Sequence, residues 1–194
     1  SGEIVAIKGS AQEPYKDNQP NEHNASVVYA QGKGIINLRA TDKLAIVDTA
    51  KVGGYAISAY EGAAVNIKDT NNVAVDGNVY ANGEGSRVNI EASKGSINGN
   101  VEAEDNASIV VTLKSKEASF TGATNVTNAK KGVTLNLQQG ATWNVTGDST
   151  VSSVIGDDFN IAKANGVDED VTVTLKGKHA DDIHDNYNKT ISTI

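Results

Sequence analysis

"VNIKDTNNVAVDGNVYANGEGSRVNI", Val65 to Ile90, begins and ends on the same triplet, and its two copies start 23 residues apart. Each triplet is apolar, polar, apolar. Side chains of a strand alternate between two faces, so Val65 and Ile67 share one side while Asn66 takes the other. Working outward, the pattern returns at Ile36-Asn37-Leu38, Val111-Thr112-Leu113, Leu135-Asn136-Leu137 and Val173-Thr174-Leu175. Ile67 to Ile90 is 23 residues, Ile90 to Leu113 is 23 and Leu113 to Leu137 is 24. A second series, Gly54, Gly77, Gly99, Gly122 and Gly147, keeps step at 23, 22, 23 and 25 residues. Gly77 and Gly99 sit in nearly the same context, "VAVDGNVYA" and "GSINGNVEA".

A period in the low twenties is too short for two packed helices, and the residues between the marks are β-branched or turn-forming. The pattern predicts an all-β chain folded as a parallel β-helix, a solenoid with coils of about 22–25 residues and protruding loops. Missing leucine ladders exclude a leucine-rich repeat. One β-helix unit over 1–194 is expected, with regular coils over 35–175 and a polar tail over 176–194. Longer intervals, 29 residues from Leu38 to Ile67 and 38 from Leu137 to Leu175, place excursions near 41–51 and within 152–170. "GSAQEPYKDNQPNEHNAS", with Pro14 and Pro20, reads as a loop projecting over 10–26, between a first rung at Ile4–Ile7 and the next at Ile35–Leu38. The lone tryptophan, Trp143, shares parity with Ala141 and Val145, which points it inward.

Composition narrows the function classes. The 194 residues include no Met, two Phe and one Trp, so a core of large helical side chains is not expected. A net charge of -7 with Arg39 and Arg87 as the only arginines excludes a phosphate-binding surface, and with it nucleic acid. Without cysteine there are no disulfides or thiolate metal sites. No apolar run reaches transmembrane length and no signal peptide is visible. Ser1-Gly2 reads as a cleavage scar, giving the expectation of a piece cut from a longer protein.

Catalytic signatures are missing. No Ser-His-Asp set and no G-x-S-x-G elbow occurs, and "GDST" at Gly147–Thr150 lacks the leucine of the esterase block it begins like. "GKG" at 32–34 and "GEG" at 83–85 lack the third glycine and following helix of a phosphate loop. The acidic residues Glu102, Glu104, Asp105, Asp157, Asp158, Asp168, Glu169 and Asp170 read as solvated turns. His23, His179 and His184 make no zinc spacing, although "HADDIHD" brings two of them close in sequence. The expectation is no enzyme, no metal site and no cofactor. The surface feature that stands out is the outward column Asn37, Asn66, Asn89, Thr112 and Asn136, with Tyr55, Tyr60 and Tyr80 in the rungs beside it. Such amides can bond along the column, or to a second β-helix or glycan hydroxyls, and tyrosines supply aromatic faces for binding.

"GATWNVTGDSTVSSV", Gly140 to Val154, closely resembles the segment near the C-terminal end of passenger domains in bacterial autotransporters of the pertactin and AIDA-type adhesin group. The resemblance implies a right-handed parallel β-helix exported through an outer-membrane β-barrel that this chain does not include. It implies that residues 140–151 belong to a stable segment that helps the passenger fold outside the cell. The expected function is a non-enzymatic adhesin or self-association module at the bacterial surface, binding a host surface protein or glycan, or a neighbouring cell. The alternatives are a carbohydrate-active β-helix, either a polysaccharide lyase or a tailspike-like glycosidase, and a purely structural stalk.

Overall fold

The computed structural model describes residues 3–9, 26–49, 54–127, 132–176 and 190–193. Among them are twenty-one strands and no helix. The chain is a parallel β-helix of three-strand coils. The first coil is β1 (Ile4–Gly9), β2 (Ser26–Ala30) and β3 (Ile35–Leu38), and the second is β4 (Lys43–Asp48), β5 (Tyr55–Tyr60) and β6 (Ala64–Ile67). The third is β7 (Asn72–Asp76), β8 (Asn78–Asn82) and β9 (Arg87–Ala92), and the fourth is β10 (Lys94–Asn98), β11 (Val101–Glu104) and β12 (Ser108–Leu113). The fifth is β13 (Ala118–Thr121), β14 (Thr124–Thr127) and β15 (Gly132–Leu137), and the sixth is β16 (Thr142–Val145), β17 (Ser149–Val151) and β18 (Ser153–Ile155). β19 (Asn160–Lys163) and β20 (Thr172–Leu175) begin a seventh, and β21 (Thr190–Thr193) lies antiparallel to β20.

Stacking these coils makes three long sheets. The first runs β1-β4-β7-β10-β13-β16-β19, the second β2-β5-β8-β11-β14, and the third β3-β6-β9-β12-β15-β18. The second sheet is interrupted after β14, and β17, β20 and β21 form a fourth that continues its side of the helix. At the interruption Thr124 N–H donates to the Ser149 hydroxyl, 3.1 Å away. A side-chain oxygen stands there where the ladder would otherwise offer a carbonyl.

The interior is built from aligned apolar columns. Val65, Val88, Ile109 and Val133 stack in the third sheet, as do Ile67, Ile90, Val111 and Leu135, all fully buried. In the first sheet the column Ile46, Val75, Ile97, Phe120 and Trp143 ends in its two largest members, while the neighbouring column goes from Leu44 and Val73 to Gly95 and Ala118. Large side chains thus occupy space that small neighbours vacate, which is how native packing density is reached. Trp143 is fully buried, lies nearly parallel to Phe120 at 5.9 Å, and donates Nε1–H to the Gly122 carbonyl at 2.9 Å. The repeated glycines form the corner between the first and second sheets. A Cβ on Gly122 would lie 2.1 Å from the Gly99 carbonyl oxygen, and one on Gly99 would lie 2.4 Å from that of Gly77.

Several expectations are corrected. Residues 43–48 are a strand of the first sheet, so no excursion covers 41–51 as a whole. Within 152–170 both β18 and β19 are rungs, and the departure is confined to the turns after Lys163. Ile4–Gly9 and Ile35–Leu38 are strands of different sheets in one coil, with β2 between them. Val173-Thr174-Leu175 pairs with Ser149–Val151 and so does not continue the triplet column of the third sheet, where Ser153–Ile155 follows β15. The expected projecting loop lies outside the described residues apart from Ser26, which begins β2. In the expected polar tail, Thr190–Thr193 forms a strand.

Candidate binding surface

The expected asparagine column is partly present. Asn66 Nδ2 donates to Asn37 Oδ1 at 2.9 Å, and Asn89 Nδ2 donates to Asn66 Oδ1 at 2.7 Å, a ladder on the outer side of the third sheet. It ends there. Asn89 is opposite Val110, whereas Thr112 is opposite Glu91, so Thr112 and Asn136 form a neighbouring column displaced by two residues. The sequence interval of 23 kept the triplets in step, but Val88 pairs with Ile109, 21 residues on, because the turns after β9 and before β12 are each one residue shorter than in the preceding coil, and the paired register slips by one alternation. Asn136 bonds instead with Gln138, whose Nε2 donates to its Oδ1 at 3.1 Å.

Tyr55, Tyr60 and Tyr80 do not lie beside that ladder. They belong to β5 and β8 of the second sheet and project outward, as the alternating buried Val79 and Ala81 on either side of Tyr80 require. Tyr55 and Tyr80 stack with ring centres 4.8 Å apart, Tyr60 meets Tyr80 at 5.5 Å, and Tyr29 of β2 meets Tyr60 at 5.5 Å. The cluster is closely packed: Tyr60 and Tyr80 keep only 6% and 9% exposure, so Tyr29 and Tyr55 present most of its accessible surface.

Polar groups continue the surface along the helix. Tyr80 is opposite Glu102, and Glu102 is opposite Asn125. The Tyr80 hydroxyl donates to Glu104 Oε2 at 2.5 Å, and Asn82 Nδ2 donates to the same oxygen at 3.2 Å. Burial, reinforced by the Glu104 carboxylate, holds the Tyr80 phenol protonated far above the usual tyrosine range. Burial also raises the Glu102 carboxyl above its ordinary value, and the charge of Glu104 adds to the effect. The amide of Asn125, donating to Glu102 Oε1 at 2.8 Å, opposes it.

Beyond Glu102 the surface opens into a groove of about 590 Å³ over the interruption between β14 and β17. Asn100, Glu102, Asn125, Asp148, Thr150 and Thr174 supply most of its polar lining, and among the described residues no Lys or Arg lines it. Thr124 also lines the groove, and its buried hydroxyl has no partner. These residues were not singled out as a binding set from the sequence. The signal was available: counting one coil at a time from Tyr80 along the second strand, rather than from the triplets of the third, passes through Glu102, Asn125, Thr150 and Thr174.

No cluster of three or more His, Asp or Glu able to hold a metal ion is present among the described residues. His23, His179 and His184 lie outside them. Compared with family models, curated proteins and solved structures, the chain matches none.

Proposed function

We propose that this chain is a non-enzymatic adhesive module of a bacterial autotransporter passenger, displayed at the cell surface and binding a host surface molecule or a neighbouring cell. One observation carries the reading: a continuous outer surface on one side of a rigid β-helix, running from the cluster of Tyr29, Tyr55, Tyr60 and Tyr80 into an open polar groove. Aromatic side chains rimmed by polar groups are what protein and glycan interfaces are built from. The resemblance of Gly140–Val154 to the passenger segment and the parallel β-helix support the same reading. The test uses beads coated with the chain, offered immobilised host surface proteins, glycans and the chain itself. Saturable binding that Tyr55→Ala abolishes is the expected result; binding that ignores this variant, or none at all, refutes the reading.

A second reading, a carbohydrate-active β-helix, is favoured by one detail. Glu102 and Glu104 project from the same side of β11, and burial raises the carboxyl of Glu102 while Glu104 accepts two hydrogen bonds. Two carboxyls in unlike surroundings are the arrangement from which glycosidases draw an acid and a base. Release of reducing ends from a polysaccharide, lost in Glu102→Gln, would establish it in place of the adhesive reading.

A further inference from the structure

The groove has a composition that narrows its ligand. Resting on the adhesive reading above, we propose that it binds a neutral, hydroxyl-rich glycan laid parallel to the helix axis, with one end against the stacked pair Tyr55 and Tyr80. Two outward columns descend from that pair. One passes from Tyr80 through Glu102, Asn125 and Thr150 to Thr174. The other passes from Tyr55 through Asn78, which accepts from the Asn100 backbone, to Asn100, which accepts from the Ala123 backbone, and on to Asp148, which accepts from the Thr172 backbone. These bonds fix the amide and carboxylate groups in place, so little side-chain freedom remains to be lost on binding.

The lining decides the class. Among the described residues every lining side chain except Ala123 carries a carboxylate, amide or hydroxyl, and no large apolar side chain is there to anchor a peptide. Carboxylates and amides pair well with sugar hydroxyls, while the flat apolar face of a pyranose ring suits a tyrosine ring. Glu102 and Asp148, with no cation among the described residues of the lining, disfavour uronic acids, sialic acids and sulfated sugars. From β11 to β20 the groove crosses three strand spacings, roughly 14 Å, the length of a short oligosaccharide.

The experiment titrates the chain by isothermal calorimetry with neutral tetrasaccharides of glucose, galactose and N-acetylglucosamine, and in parallel with oligogalacturonate and a heparin tetrasaccharide. The expected result is saturable binding of a neutral probe. Asn125→Ala and Thr174→Val weaken it tenfold or more, and Ser119→Ala on the outer side of the first sheet leaves it unchanged. Melting curves show that each variant is folded, and the two groove variants serve as independent checks. Preference for an anionic probe, indifference to both groove variants, or no heat with any neutral probe at millimolar concentration overturns the glycan assignment. If the coated beads still adhere to a protein or to each other in that case, the adhesive reading stands and only the glycan falls.

Discussion

Glu102 shows how one side chain links the surface to pH. Its carboxyl is raised, first by burial and then by Glu104, so the folded chain holds this proton more tightly than the unfolded chain does. The stability so contributed is complete below the unfolded carboxylate range and is lost as pH rises through the higher folded value. Glu102→Gln keeps an acceptor for Asn125 and removes the charge. It should therefore be more stable than the parent at neutral pH and equal to it in acid, by less than about 1 kcal/mol because solvent reaches the group. Urea denaturation at the two pH values reads the difference, and a variant less stable at neutral pH would contradict the sign. Trp143 works at the same scale in the opposite environment, where its indole N–H answers a carbonyl that would otherwise be buried without a partner.

Among the turns, members of one sequence series behave differently. Gly122 and Gly147 look equivalent in the repeat, yet a Cβ at 122 would strike the Gly99 backbone while one at 147 would meet nothing within 4 Å. Gly122→Ala should cost about 1–3 kcal/mol, the range for forced overpacking, and Gly147→Ala almost nothing. Chemical denaturation of the pair checks this, and equal losses would show the corner to be more yielding than its geometry. The same elements show what could be read from the sequence. Alternation and period were legible because apolar columns repeat strictly, which carried the solenoid, the inward Trp143 and the outward asparagines; Tyr55 and Tyr60 have opposite parity and share a face only through the irregularity between Tyr55 and Ile57. Register was not legible, because a coil whose turns together lose two residues preserves alternation while moving every partner, as between Asn89 and Val110. The asparagine column therefore broke, while the tyrosines lie on a different sheet because a turn separates β5 from β6 and β8 from β9. The groove was hidden for a related reason: it depends on the interruption of the second sheet, where Thr124 and Ser149 replace apolar residues in an inward column, and hydroxyls in a Thr-rich chain do not announce such a break.

Over the whole molecule, coils contact chiefly their neighbours, so stability is a sum of coil and interface terms and need not be even along the axis. In the first coil the inward Val5, Ile7, Ile36 and Leu38 are only partly buried, whereas the inward residues of the third to fifth coils are almost all fully buried. Amide hydrogen exchange followed by mass spectrometry should find peptides from β1 and β3 exchanging faster than those from β9, β12 and β15, and uniform protection would mean the chain unfolds as one cooperative unit. The aromatic residues supply a second view of that question without labels. The one tryptophan sits in the sixth coil against Phe120, while the four clustered tyrosines occupy the first three coils. Indole emission and near-ultraviolet tyrosine dichroism therefore report opposite halves of one rod. The fold carries two optical gauges at known positions along its length, and any gap between their midpoints measures how far one half can melt while the other holds.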